Sequence, residues 1–408
     1  MRMTGLFDPA RHQALSPANG SWGERTARAA IDRIVASALA EYSPGEGWTA
    51  HPLDDPDSPG QRFHNLYFGS GGVIWALQWL QRAGALDRSL PDLSSLIARL
   101  VELNRPFLAD SQHGSASFLM GEAGLDLLAW TQQPDAALAQ RLHDTIRANL
   151  HNPANEALWG NPGTLLAAVH LAEATGEARW ADLVREAADA LLADTVLDAD
   201  IGTWIWVQNL YGRPPVRYLG AGHGLAGNVF PFLRGAALLP AALVAQAAER
   251  ALATLQATVV RADGGANWFP GVNSARPAHW LPPVQDCHGA PGIICRLAAA
   301  PRTSDWDSLL LEAGELTWHA GPLAKGASIC HGTAGSALAM LKLWRRSGDP
   351  VWLARARALA LHAIGQVEQH RVAYGVGRQS LWTGDLGLAC VLWACVAGDD
   401  RFPTMDRC

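Results

Sequence analysis

The sequence predicts an all-α fold, a closed (α/α)7 toroid in which seven buried helices alternate with seven amphipathic ones. A Gly-x-x-Gly signature recurs seven times, at Gly69/Gly72, Gly121/Gly124, Gly160/Gly163, Gly224/Gly227, Gly289/Gly292, Gly332/Gly335 and Gly384/Gly387. Each pair opens a run of about ten to fifteen mostly apolar residues. Between these runs lie stretches whose apolar residues keep to one helical face. Strand periodicity is nowhere comparable, although short strands fit Thr203 to Tyr218.

The runs that follow the glycines, such as Thr333 to Trp344 and Leu386 to Ala397, are apolar almost all round, which suits helices buried on most faces. Ala241 to Val259 is of the other kind: Val244, Ala248, Ala251, Leu255 and Val259 share one face, and Gln246, Glu249, Arg250 and Gln256 lie elsewhere. Comparable outer candidates cover residues 24 to 41, 91 to 107, 135 to 150, 177 to 193, 304 to 320 and 350 to 369. A single layer cannot bury helices that are apolar on every face, whereas two concentric rings can. The glycines are explained by close backbone approach where buried helices crowd together. Helix N-termini collected on one side, with free N–H groups and positive dipole ends, would favour anionic ligands.

A length of 408 residues admits two or three domains, but Ala and Leu dominate throughout and no Gly/Ser or Pro linker divides the chain. One domain over residues 1–408, with an N-terminal arm over 1–21, is expected. Lys and Arg number 32 against 38 Asp and Glu, a net charge of -6, and no basic stripe offers a footprint for nucleic acid. Met1 to Gln13 lacks an apolar signal region, and charges interrupt the apolar runs before they reach membrane-spanning length. A soluble, cytoplasmic protein is expected. The six cysteines are scattered rather than framing a small loop-rich domain, so reduced thiols are expected; Cys295, Cys390 and Cys395 read as small buried hydrophobes and Cys408 as a terminal thiol.

Chemistry concentrates where the repeats are specialised. The residues just before the first glycine are Phe68, Met120, Trp159, His223, His288, His331 and Thr383; one place earlier stand Tyr67, Leu119, Leu158, Gly222, Cys287, Cys330 and Trp382. The fourth to sixth repeats thus carry ligand-type side chains where the first three read as apolar. Cys287, Cys330 and His331 offer two thiolates and an imidazole, a set suited to one Zn2+ with a fourth position open for water or substrate. His223 lacks a companion cysteine and reads as a proton-transfer group beside the metal, with His288 as a further ligand or base.

Leu66-Tyr67-Phe68-Gly69-Ser70-Gly71-Gly72, Gly222-His223-Gly224-Leu225-Ala226-Gly227, Cys287-His288-Gly289-Ala290-Pro291-Gly292 and Lys325 to Gly335 occur in an order that resembles the lanthionine synthetase C-like family. Ser380 to Gly384 and the end Arg401-Phe402-Pro403 also look like it. The resemblance implies an (α/α)7 toroid with one zinc on Cys287, Cys330 and His331. It also implies addition of an activated thiol to dehydroalanine or dehydrobutyrine, giving a thioether. His288 stands where the peptide cyclases carry a Tyr, and Pro283 where they tend to have an Arg, features similar to the stand-alone LanC-like proteins whose eukaryotic members bind glutathione. Lys325 is similar to a family lysine placed near glutathione, and Glu156 matches a position where cyclases use Asp. The implied partners are a thiol, glutathione or a peptide cysteine, and a dehydrated peptide or protein. Alternatives are a zinc-dependent thiol-binding sensor or scaffold and a cyclase of a biosynthetic cluster; prenyl transfer would call for an Asp-Cys-His set instead.

Aromatic-rich loops at Thr203 to Tyr218 and Asn267 to Val284, with Trp204, Trp206, Tyr211, Trp268, Phe269 and Trp280, are candidates either to wall a substrate mouth or to cover the core. Arg213, Arg217 and Arg276 are the basic groups there for a phosphorylated precursor.

Overall fold

The computed structural model describes residues 5–15, 21–54, 60–109, 111–272 and 279–408. Of the expected arm over 1–21, residues 1–4 and 16–20 lie outside the described residues, as does Arg276. In chain order the helices are α1 (Glu24–Ala40), α2 (Ser70–Arg82), α3 (Ser94–Ile97) and α4 (Leu100–Ala109), then α5 (Glu122–Gln132), α6 (Ala136–Ala148), α7 (Asn161–Thr175) and α8 (Ala178–Ala193). A hairpin of β1 (Thr195–Asp198) and β2 (Thr203–Trp206) precedes α9 (Leu225–Arg234) and α10 (Ala241–Thr258). A second hairpin, β3 (Val260–Ala262) and β4 (Gly265–Asn267), precedes α11 (Ala290–Leu297) and α12 (Ser304–Ala320); α13 (Thr333–Ser347), α14 (Pro350–Tyr374) and α15 (Asp385–Ala397) follow.

The chain divides into two compact units. A middle unit comprises residues 1–8 and 111–320, and a terminal unit comprises 9–110 and 321–408. In the middle unit α5, α7, α9 and α11 lie side by side in chain order, and each packs on the helix that follows it. In the terminal unit α15 lies beside both α13 and α2, so the last glycine-capped helix neighbours the first, and α1 packs on α15.

The seven helices opened by glycine pairs behave as their composition demands. Every residue from Asn161 to Ala172 in α7, from Thr333 to Leu343 in α13 and from Asp385 to Cys395 in α15 is buried. The seven amphipathic stretches also form helices, the second of them broken into α3 and α4. In α10 the buried stripe is Ala247, Ala248, Ala251, Thr254 and Leu255; Val244 and Val259, expected on it, are only partly covered at the helix ends. Cys295, Cys390 and Cys395 are buried, and burial pushes the Cys395 thiol up to about 12, consistent with inert packing groups.

In every repeat the first glycine of the pair is the helix N-cap. In the first, fourth and sixth repeats the preceding loop arcs back over the helix end, and its carbonyls accept from the first helical N–H groups. Ser70, Gly71 and Gly72 donate to Phe63, His64 and Asn65; Leu225, Ala226 and Gly227 donate to Tyr218, Leu219 and Gly220; Thr333 and Ala334 donate to Gly326 and Ala327. The expectation of free N-terminal N–H groups for anions is therefore corrected. Those donors are satisfied by the chain itself, as buried donors must be. The approach leaves no room for a side chain: a Cβ on Gly72 would strike the Leu66 carbonyl oxygen, and one on Gly292 that of Asp286.

Gly72→Ala should cost about 1–3 kcal/mol through this collision, read as a lowered thermal midpoint. Asp385, at the first position of α15, supplies a second test. Its carboxylate accepts from the Arg378 N–H at 3.1 Å, and burial holds its carboxyl up at about 7. A carboxyl that keeps its proton more tightly when folded favours the native state at low pH and loses that advantage as pH rises through about 7. Asp385→Asn should therefore raise the thermal midpoint more at pH 8 than at pH 5; an equal effect at both would refute the assignment.

Candidate metal centre and proton-transfer site

The loop that crosses each helix end presents the two residues before the capping glycine at its crown. In the terminal unit the sixth repeat presents Cys330 and His331. Cys330 is buried, its Sγ lies 3.6 Å from His331 Nε2, and it accepts a hydrogen bond from the Tyr67 hydroxyl at 2.7 Å. Zinc bonds of about 2.3 Å to sulfur and about 2.0–2.1 Å to nitrogen, set at a tetrahedral angle, separate the two donor atoms by about 3.6 Å. Adjacent residues thus hold two donors at a spacing that fits the metal. Lys325 lies exposed in the turn that leads into this loop, five residues before Cys330.

Backbone bonds tie equivalent crown positions together. The Cys330 N–H donates to the Trp382 carbonyl at 2.9 Å, and the Trp382 N–H donates to the Tyr67 carbonyl at 3.1 Å. Tyr67 and Trp382 also stack, with ring centroids 5.5 Å apart. Tyr67, which reads as one of the apolar positions of the first repeats, is corrected: its ring packs, but its hydroxyl serves the Cys330 sulfur. Its place in the ligand register was the signal that could have found it.

In the middle unit the fifth repeat presents Cys287 and His288 on a loop built differently. Gly289 takes a φ of 115°, a region that favours glycine, and the Ala290 N–H is capped by the Asn267 side chain at 2.9 Å. Asn267 in turn donates to the Pro283 and Leu6 carbonyls. A buried Arg296–Asp286 ion pair at 3.0 Å tethers the residue before Cys287. Cys287 is 6% exposed, and its Sγ accepts from Gln285 Nε2 at 3.0 Å.

The fourth repeat meets the fifth here. The Gly222 N–H donates to the Cys287 carbonyl at 3.2 Å, and a Cβ on Gly222 would stand 3.2 Å from the Cys287 Cβ. His223 follows Gly222, and its ring lies 5.9 Å from that of His288, with Tyr218 against both. His223 Nδ1 is 2.8 Å from Glu156 Oε2. Glu156 is fully buried, and its carboxylate also accepts from the N–H groups of Leu158 at 3.1 Å and Trp159 at 2.6 Å. The structure thus brings Glu156, His223, His288 and Cys287 into one cluster. His113, outside the repeat register and so without a sequence signal, adjoins it: burial holds its pKa below the ordinary value, with Glu156 opposing and His223 adding to that effect.

Among the aromatic loop residues, Trp206 and Trp268 are fully buried, with indole N–H groups on the Leu191 and Leu255 carbonyls. These two cover the core. Tyr211 is exposed beside His113, and Trp204 carries Arg250 over its ring at 4.1 Å. Arg217 is paired with Asp198 and Asp200 rather than presented to a phosphate.

One group of His, Cys and acidic side chains among the described residues could hold a metal ion: Cys287, Cys330 and His331. Two thiolates and an imidazole are a donor set that fits zinc. No helix of the described residues is long and apolar enough to cross a membrane.

The sequence model of the family described as Lanthionine synthetase C-like protein matches residues 53–407. Among curated proteins, the chain is 27% identical over 320 residues to the Danio rerio protein named Glutathione S-transferase LANCL1, covering 71% of this chain and 70% of that protein. It is 31% identical over 265 residues to LanC-like protein GCL1 of Arabidopsis thaliana, covering 61% of this chain and 57% of the relative. Among solved structures it is similar to nisin cyclase, with a TM-score of 0.61 at 16% identity, covering 91% of this chain and 93% of that one. That likeness gives the fold class, an α/α toroid, as the glycine repeats predicted. With the family's motifs matched across nearly the whole sequence, the chain belongs to the lanthionine synthetase C-like family.

Proposed function

We propose that the protein adds a thiol across the double bond of a dehydroalanine or dehydrobutyrine residue, with one zinc ion on Cys287, Cys330 and His331. The observation that carries this reading is the pairing of buried Glu156 with the partly exposed His223, kept next to Cys287 by the Gly222 hydrogen bond. A zinc ion held by these three residues would supply the Lewis acidity that lets an incoming thiol give up its proton at neutral pH.

The reaction forms a carbon–sulfur bond at the β-carbon and breaks the π bond, and the α-carbon must then receive a proton. His223 is the candidate we assign to deliver it. With Nδ1 anchored on Glu156, the ring leaves Nε2 as the atom to give up the proton. His288, whose ring lies 5.9 Å from that of His223, is the second candidate for this transfer. Lys325 offers an exposed ammonium for a carboxylate of the thiol substrate. The name of the zebrafish relative, a glutathione S-transferase, supports glutathione as that thiol. Six cysteines outside any disulfide suit a reducing compartment, and we assign the protein to the cytoplasm on that ground.

Incubation with a dehydroalanine peptide and a panel of thiols, read by mass spectrometry beside metal analysis, tests the proposal. A thioether product supports it; tight glutathione binding without product would favour a sensor, and full activity without zinc would overturn the scheme. Cys330→Ala should lose both zinc and product, whereas His223→Ala should keep zinc and slow addition by about 10²–10⁴-fold.

Glu156 also has a structural duty. Glu156→Ala leaves the Leu158 and Trp159 N–H groups without their acceptor and should cost about 2–4 kcal/mol in a thermal melt, while Glu156→Gln retains an acceptor oxygen and should lose less.

A further inference from the structure

The proposed chemistry sets a selectivity problem that the two cysteine environments address. Three sulfurs would meet one electrophile, two from the protein and one from the substrate, and only the last is to react. Attack by Cys330 or Cys287 would join Sγ to the β-carbon, break the π bond, put a proton on the α-carbon and leave a dead-end thioether in place of a ligand.

Both protein sulfurs carry a side-chain donor. The Tyr67 hydroxyl donates to Cys330 Sγ at 2.7 Å, and Gln285 Nε2 donates to Cys287 Sγ at 3.0 Å. Neither donor belongs to the family's Cys-His-Gly signature, and the two come from different repeats. Each is held in place independently of its sulfur. The Tyr67 ring stacks on Trp382, and its carbonyl accepts the Trp382 N–H; the Gln285 N–H donates to the His288 carbonyl at 3.2 Å, and the residue is 9% exposed. A hydrogen bond to a thiolate draws electron density toward the donor, which lowers the nucleophilicity of that sulfur while leaving it able to bind a cation.

We infer that Tyr67 and Gln285 are positioning residues that mark Cys330 and Cys287 as ligands rather than nucleophiles, so that the substrate sulfur alone stays reactive. This inference rests on the zinc reading of the preceding subsection.

The test uses the zinc-loaded protein and a generic electrophile, N-ethylmaleimide, with peptide mapping of each cysteine over time. Tyr67→Phe, which removes one oxygen, should speed modification of Cys330 about tenfold, the worth of a hydrogen bond to a charged group, and leave Cys287 at its wild-type rate. Gln285→Met should do the reverse. A general loosening would raise both cysteines together in either variant, and that result, like unchanged rates in both, overturns the inference. Zinc content of the wild type separates the two readings: a protein that binds no zinc overturns both, whereas zinc with unchanged selectivity overturns this one alone.

Discussion

The contact on which the rest of the structure depends is the arc of backbone laid over the N-terminus of each buried helix. A helix end inside protein must satisfy its first N–H groups, and here the chain's own carbonyls, seven residues upstream, do so in the first, fourth and sixth repeats. The arc lies so close that a Cβ on the capping glycine of the first, fourth or sixth repeat would collide with its backbone, and so would one on Gly72 or Gly227. The two residues before the capping glycine are then lifted to the crown with little freedom. Fixing the backbone there by covalent turn geometry and hydrogen bonds places two side chains per repeat in a defined direction before any chemistry is considered.

Because the arc consumes the helix N–H donors, the electrostatics of the crown come from side chains. In the middle unit that means a fully buried carboxylate, Glu156, whose charge is matched by two backbone N–H groups and by His223. The carboxylate fixes the orientation of the imidazole through its 2.8 Å contact with Nδ1. In the terminal unit the adjacent Cys330 and His331 use a single loop for two donor atoms 3.6 Å apart. The fifth repeat departs from the common arc. Gly289 adopts a positive φ and Asn267 caps the helix instead, so Cys287 is supported by a strand residue and by the buried Arg296–Asp286 pair.

Backbone bonds between equivalent crown positions carry this organisation from one repeat to the next. Gly222 reaches Cys287 in one unit, and Cys330 reaches Trp382, which reaches Tyr67, in the other. Glycine at position 222 is part of the design: it stands against the Cys287 Cβ at a distance that a larger residue would disturb. Repetition therefore does more than fill a core. It sets Cys287 of one repeat against Gly222 and His223 of its neighbour, and Cys330 of another against Trp382.

The sequence by itself determined the helical class, the seven glycine-capped helices, the positions of the amphipathic ones and the residues at the crown, because helix period, glycine spacing and motif register are local properties written in one dimension. It also singled out Cys287, Cys330, His331, His223 and His288 by residue type at a shared register, and Lys325 and Glu156 by family resemblance. Only the tertiary structure decided who touches whom. That Glu156 holds His223, that Tyr67 and Gln285 each serve a cysteine sulfur, that Trp206 and Trp268 belong to the core and that Arg217 is spent on Asp198 are outcomes of packing between segments far apart in the chain. The helix N-termini show the same division. Their dipoles were legible from the pattern, but the fate of their N–H groups depended on a loop trajectory that hydrogen-bond satisfaction in three dimensions imposes and composition does not encode.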